Sequence, residues 1–494
     1  MKFKNFRISL SFLIIIVTAF VLRVFTLNKL MVFTPDEEYV LYITKTLTSN
    51  FHIIWIGVSA LGFDFYMGPG LNYFLVPFMW LFNGNPFVWG LIACLFGVAA
   101  CVLIYFFANK LFGRKTAIIA SILYAVSALV VYYDQQPYPT AVPFLSMAMI
   151  ISIYNTRHSK YWWIVFAFLY GIVFHIHLSM VLVVFVAIYW GITHKKTWNI
   201  KILVLSFLTF LTVISPLIVF NYFHNWSDFT APIRVFQALG KNKNQTNMFI
   251  RIQTLTKATS RLFYLAPGKT NTDEILYPCN TLPNNNSTKA SWIIICIALI
   301  LLIIYFLKKD FWKNEAKRLI FVFSLAYLIP FIFLSSVGSV EYYLLGFFPI
   351  FFIIVAYTIA NLNRLFRYVF YFLILCFVIF NVFTIFSASG EFGLATKRKM
   401  ISDVMQIVGN SSFSLQEMGG PCQGTAGWGY LFTIYGRAPE DNIADKQFSW
   451  LLPVGNLENT KYKVVINESR FAIDETGYKN IIREGGFTAY IFKN

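Results

Sequence analysis

The sharpest cluster of side chains able to do acid–base chemistry is one short segment, Thr34-Pro35-Asp36-Glu37-Glu38-Tyr39. Proline suits the first turn of a helix, so Pro35 is expected to open one. On that helix Asp36, Tyr39 and Ile43 share one face while Glu37 and Leu41 lie on another, so at least one carboxylate can turn toward the rest of the protein. A carboxylate held there can accept the proton of a hydroxyl. Acids at a helix amino terminus also follow from its dipole alone, and the residues by themselves leave both readings open.

Other polar groups stand alone in apolar surroundings. Arg23 lies inside an apolar run about two turns from its outer end, where a charge must snorkel to headgroups or find an anion. Asp134 sits in Tyr132-Tyr133-Asp134-Gln135-Gln136-Pro137-Tyr138-Pro139. There it can cap a turn that the prolines enforce, or bind hydroxyls together with two amides, or position the Asp36 segment. His175 and His177 are two residues apart and diverge on a helix, unlike the one-face pair that zinc requires, so they read as polar lining or turn residues and no metal is expected. Residues 223–290 interleave Arg234, Lys241 and Arg261 with aromatic side chains, a pattern that can hold a phosphate or simply lie on anionic lipid. No P-loop and no GxGxxG turn follows a strand, so nucleotide chemistry has no support.

The elements that must position these groups are membrane helices. The 494 residues are 58% hydrophobic, 19% aromatic and only 13% charged, with mean hydropathy +0.63. That excludes a soluble enzyme, a disordered chain and a disulfide scaffold. The apolar runs predict about eleven spans, near 8–27, 87–107, 117–133, 138–155, 162–175, 176–193, 201–222, 291–307, 318–336, 342–360 and 367–388. With the amino terminus inside, eighteen Lys and Arg against two acids fall on the cytoplasmic side, +16 of the formal +18. The basic balance therefore reflects topology and gives no reason to expect nucleic acid. Lys2, Lys4 and Arg7 precede the first run as they would in a signal peptide, but that run is long and no small-residue cleavage site follows, so it reads as a retained anchor.

The extracytoplasmic side then receives an acidic loop, 28–86, a basic loop, 223–290, and a charge-balanced tail, 389–494. Alternation over Lys461–Ile466 and Phe487–Phe492 predicts strands, and Lys399–Val408 and Gly429–Tyr435 predict helices, so the tail is expected to be a small soluble α/β domain behind a transmembrane module, 1–388. Of six cysteines, Cys279 and Cys422 fall outside the spans and are able to pair.

This arrangement resembles the GT-C membrane glycosyltransferases, in the branch of protein O-mannosyltransferases and the aminoarabinose transferase of lipid A (glycosyltransferase family 39-like). The resemblance rests on Arg23, on Pro35-Asp36-Glu37 and on Tyr66-Met-Gly-Pro-Gly-Leu-Asn-Tyr73. Further on it rests on Phe220-Asn-Tyr-Phe-His-Asn-Trp226 and Tyr342-Tyr-Leu-Leu-Gly-Phe-Phe-Pro349. Glu341 departs from it, standing where relatives often carry a basic residue, and Glu38 adds a third carboxylate. The resemblance implies a GT-C fold and transfer of a sugar from a polyprenyl-phosphate donor to a hydroxyl of a protein, lipid or glycan at the extracytoplasmic face of the cell membrane. It implies inversion, with neither metal nor cofactor. In that mechanism Asp36 is the base and Glu37 orients the acceptor or Asp36. Arg23, Arg234, Lys241 and Arg261 hold the phosphate, and Asp134, His175, His177 and His224 position substrate. A multi-span transporter or lipid flippase is the competing reading, since intramembrane polar residues also mark substrate paths. The halves show no internal repeat, and the large outer loops suit an enzyme better.

Overall fold

The computed structural model describes residues 9–49, 52–60, 65–139, 141–228, 230, 248–265, 291–307, 312–333, 341–416, 427–442, 460–469, 478 and 480–493. Arg234, Lys241, Cys279 and Cys422 lie outside the described residues.

Each expected span coincides with an apolar helix or a bent pair of helices. Pro86–Phe112, Glu315–Phe333 and Arg364–Ser387 are individually long and apolar enough to cross a membrane, and the count is up to five if each bent pair is one span. The bent pairs are Arg114–Val126 with Ala128–Asp134, at 66°, and Ile200–Val213 with Ser215–Phe223, at 65°. The apolar stretch from Tyr161 to Ile192 is divided as expected: Trp162–Ile176 ends at His177, whose φ of −168° is extended, and a 3-10 turn, Leu178–Val183, leads into Val184–Thr193. The segment expected as a plain first loop holds more structure than its charge pattern suggests. It contains the helix Pro35–Ser49, a two-stranded pair, β1 (Ser59–Ala60) with β2 (Phe65–Tyr66), and a second helix, Gly70–Leu81, that exposes Phe74, Trp80 and Leu81. Twelve residues are too few to span, so this last helix escapes a search for long apolar runs.

The tail carries the helices Leu394–Val408 and Trp428–Tyr435 and five strands: β3 (Phe413–Gln416), β4 (Asp441–Asn442), β5 (Tyr462–Glu468), β6 (Asn480–Glu484) and β7 (Phe487–Lys493). Their order is β4-β3-β5-β7-β6; β3 runs parallel to β4 and β5, and β7 is antiparallel to β5 and β6. The β6–β7 hairpin turns through Gly485-Gly486, where Gly485 has φ +54°, the left-handed conformation that a two-residue hairpin loop favours. One apolar core fills the bundle. A second joins the helices Pro35–Ser49 and Gly70–Leu81 to the sheet of the tail.

A bend inside a membrane releases backbone groups that lipid cannot satisfy, and at Ser127 the protein satisfies them with side chains. Arg23 donates from Nη1 to the carbonyls of Ala19 (3.1 Å) and Ala125 (2.9 Å), and from Nη2 to that of Tyr124 (3.4 Å). Its Nε and Nη2 reach Asp134 Oδ2 at 2.9 and 2.8 Å. Asn381 accepts the Ala128 N–H, and the Ser127 hydroxyl donates to the Leu262 carbonyl. Gly97 packs on the Asp134 carboxylate so closely that a Cβ there would overlap it. Arg23 and Asp134 are 0% and 1% exposed, and removing one member of such a pair strands a buried charge. Asp134→Leu is expected to cost about 3–5 kcal/mol, read as a lower thermal midpoint in detergent, and the double variant Arg23→Met with Asp134→Leu should recover most of the loss. An unchanged midpoint for Asp134→Leu would refute the assignment.

Candidate functional site

The acidic helix begins with the carboxylate half of a capping box. Thr34 is the cap and Pro35 the first helical residue, and Glu37 Oε2 accepts both the Thr34 N–H, at 2.8 Å, and the Thr34 hydroxyl. Glu37 Oε1 also accepts the Tyr138 N–H at 3.3 Å. The carboxylate of Glu37 is thus occupied with backbone. Asp36, one residue earlier, has no hydrogen-bond partner among the described residues and remains accessible. Glu38 turns the other way and accepts backbone N–H groups of the tail. Three adjacent acids therefore face three surroundings, and the helix leaves one of them free.

Electrostatics separates the first two further. Asp36 has an accessible surface but sits deep enough among protein atoms that lost hydration pushes its pKa up to about 6. Burial, followed by the neighbouring charge of Asp36, raises Glu37 to about 7, against the pull of its Thr34 hydrogen bonds. A carboxylate titrating near 6 is a better proton acceptor than an ordinary one and is still mostly ionised at neutral pH.

The turn after Asp134 fixes this helix in place. Gln135 Nε2 donates to the Arg23 carbonyl (2.7 Å) and to Thr26 Oγ1 (2.6 Å). Gln136 accepts the Val32 N–H at 2.9 Å and donates to the Leu30 carbonyl at 3.3 Å. Tyr138 completes the series at Glu37 and lies within electrostatic reach of Asp36, Glu37 and Tyr343. Beside it is His177, whose Nδ1 pairs with the Ser179 hydroxyl at 2.8 Å. The imidazole is ringed by Tyr138, Tyr342 and Tyr343, with centroids 5.7, 5.6 and 5.6 Å away. Tyr342 and Tyr343 belong to the 3-10 turn Glu341–Leu344, and its first residue, Glu341, is paired with Arg261 at 3.3 Å and accepts the Tyr133 hydroxyl at 3.0 Å. A set of contacts thus runs from Glu37 through Tyr138, His177 and the tyrosine pair to the turn that pairs with Arg261. Next to Tyr138 lies a small apolar recess lined by Leu71, Trp89, Phe96, Pro139 and Ile176 among others.

Arg261, on the helix Met248–Phe263, is 2% exposed, yet among the described residues its Nε and Nη2 have no partner. Buried donors are ordinarily satisfied, so these two nitrogens suit an anion. Arg23 is the opposite case. All five of its N–H groups are directed at protein acceptors, which leaves none for the phosphate expected there. The spacing of charge and apolar residues could not reveal this, because the partner is 111 residues away. His175 is spent likewise: Nδ1 accepts the Gly70 N–H (3.0 Å), and Nε2 meets the Val213 carbonyl (2.8 Å). A Cβ at Gly68 or Gly70 would strike the imidazole, which accounts for the glycines of the 66–73 segment. His224 is exposed, stacks on Phe220 at 4.0 Å and is bonded to the Phe220 carbonyl; no described contact links it to the carboxylates. Among the described residues no three His, Cys, Asp or Glu side chains gather to hold a metal ion.

Comparison with known proteins agrees with this layout. Residues 67–220 match the family model described as dolichyl-phosphate-mannose-protein mannosyltransferase. The fold is similar to that of ArnT from Cupriavidus metallidurans bound to undecaprenyl phosphate, with a TM-score of 0.60 and 11% identity over 97% of each chain. It is also similar to an Archaeoglobus fulgidus oligosaccharyltransferase tethered with an acceptor peptide, with a TM-score of 0.51, 12% identity, and coverage of 92% of this chain and 68% of that one. No curated protein matches by sequence. The chain has the GT-C fold along nearly its whole length. Within it, residues 67–220 are similar to the mannosyltransferase family whose model they match.

Because Arg261 is the only cation recorded within salt-bridge distance of Glu341 among the described residues, Arg261→Met should leave a buried unpaired acid. The expected loss is about 3–5 kcal/mol, measured as a fall in thermal midpoint, and Glu341→Gln on that background should restore stability. Additive losses in this double-mutant cycle would show that the two do not interact.

Proposed function

We propose that the protein transfers a sugar from a polyprenyl-phosphate donor to a hydroxyl acceptor at the extracytoplasmic face of the cell membrane, with its amino terminus inside and its tail outside. The observation that carries this reading is the division of labour among Asp36, Glu37 and Glu38, which leaves Asp36 alone without a hydrogen-bond partner among the described residues, within electrostatic reach of Tyr138. The positive-inside charge distribution supports the sidedness.

In this mechanism the acceptor hydroxyl lies against Asp36. Its oxygen forms a bond to the anomeric carbon while the bond from that carbon to the phosphate oxygen breaks, and the proton passes to Asp36. The polyprenyl phosphate departs with its negative charge stabilised by Nε and Nη2 of Arg261. Arg234 and Lys241, from the same basic segment, are further candidates for that task. Glu37 and Asp134 position the acid, and Arg23 acts through Asp134 without touching the donor. His177, with its tyrosine ring, offers a surface for the sugar. Membrane lipid surrounds the spans, and His175 and His224 act only on local structure. The reaction needs no metal, because Asp36 itself accepts the proton. The acceptor is a protein, a lipid or a glycan.

The direct test is mass spectrometry of lipid that co-purifies with the protein, followed by incubation of the wild type and Asp36→Asn with the polyprenyl-phosphate sugar found. Wild type should release polyprenyl phosphate, and Asp36→Asn should be slower by about 10²–10⁴; comparable turnover by the variant would remove Asp36 as the base. Since only the ionised form accepts a proton, wild-type kcat/KM should rise through pH about 6 and level off above it. A rate that falls across that interval would contradict the assignment.

A further inference from the structure

We propose that the tail holds the Asp36 turn in its working position, with Glu38 as the positioning residue through which it does so. This rests on the reading of Asp36 as the proton acceptor. The helix Trp428–Tyr435 starts after Gly427, a residue with no side chain to cap it. The first N–H groups of a helix need acceptors, and Glu38 supplies them from 389 residues away: its carboxylate accepts the Gly427 N–H at 3.0 Å and the Tyr430 N–H at 2.7 Å. Each oxygen takes one donor, and the negative charge sits at the positive end of that helix. Glu38 is 2% exposed, so water cannot substitute.

Two other contacts close on the same turn from the tail. Lys397 Nζ donates at 2.6 Å to the carbonyl of Phe33, the residue before the Thr34 cap, while lying 4.7 Å from the Trp428 ring and 5.3 Å from that of Phe487. Gly427, at φ +87°, packs so tightly that a Cβ would come within 3.0–3.2 Å of the Phe33 and Thr34 backbone. The Leu394 N–H also donates to the Met31 carbonyl at 2.9 Å. The stretch 31–38 is therefore fixed on one side by Gln136 and Tyr138 and on the other by the tail. Asp36 lies between Thr34 and Glu38 on one rigid helical turn and cannot shift while both hold. Losing the outer half of this grip lets the turn move and hydrates Asp36 more fully, whereas Arg261 stays as it is.

The test compares wild type, Glu38→Gln, Lys397→Met and a control, Lys399→Ala, which removes only a surface ion pair with Glu484. Gln keeps the shape of Glu38 but turns an amide against one of the two N–H donors. Hydrogen–deuterium exchange of residues 31–41 should quicken in the first two variants and not in the control. Their kcat should fall at least tenfold with undecaprenyl phosphate affinity unchanged, and the pH inflection should move from about 6 toward the ordinary carboxylate range. Faster exchange with unchanged kcat and pH profile would overturn the proposal, as would unchanged exchange. If the wild type transfers no sugar, the reading of Asp36 fails, and exchange alone then decides whether the tail grips the turn.

Discussion

A span that bends in the middle of a membrane must satisfy the carbonyls it frees, and here one buried guanidinium does so. Arg23 binds the carbonyls at the end of Arg114–Val126 and the carboxylate at the end of Ala128–Asp134, joining the first helix to both halves of the broken span. The pair gains little net stability over a well-packed apolar alternative. Its consequence is geometric: the chain leaves the membrane at Asp134 at a fixed height and in a fixed direction. Gly97 leaves the room that the carboxylate requires.

From that anchor, position is passed on by side chain to backbone hydrogen bonds. Gln135 and Gln136 grip residues 23–32, and the Tyr138 amide grips Glu37. Glu37 supplies the carboxylate half of a capping box, as it would on an ordinary surface helix without further purpose. Here the cap has the added effect of occupying one acid so that its neighbour stays free. The raised pKa values of Asp36 and Glu37 fit this arrangement, since two close acids in a poorly hydrated site resist ionising together.

The helices of the bundle were legible in the sequence because apolar length is a local signal. All the expected spans meet apolar helices, and the tail's two helices and two longest strands fall close to where alternation and periodicity put them. What local pattern could not supply was pairing. Asp36 stood out as a candidate acid by its place after the first span, but its lack of a partner among the described residues goes with Glu37 and Glu38 being engaged elsewhere, and Glu38's partners lie in the tail. Arg23 was visible as an anomaly, whereas its partner Asp134 was visible only as a turn residue. The aromatic ring around His177 was present in the sequence as two separate segments, Tyr138 and Tyr342-Tyr343, with nothing to say that they meet. Glu341, which departs from the pattern of similar proteins, is a partner of Arg261 and Tyr133.

The proposed reaction is a single displacement in which Asp36 takes the proton and no covalent sugar–protein bond forms. The measurement that reaches this claim most directly is the anomeric configuration of the product, determined by NMR on the sugar transferred from a donor of known configuration. One displacement requires inversion. Retention of configuration would mean two successive displacements and a nucleophile on the protein, and would contradict the role given to Asp36.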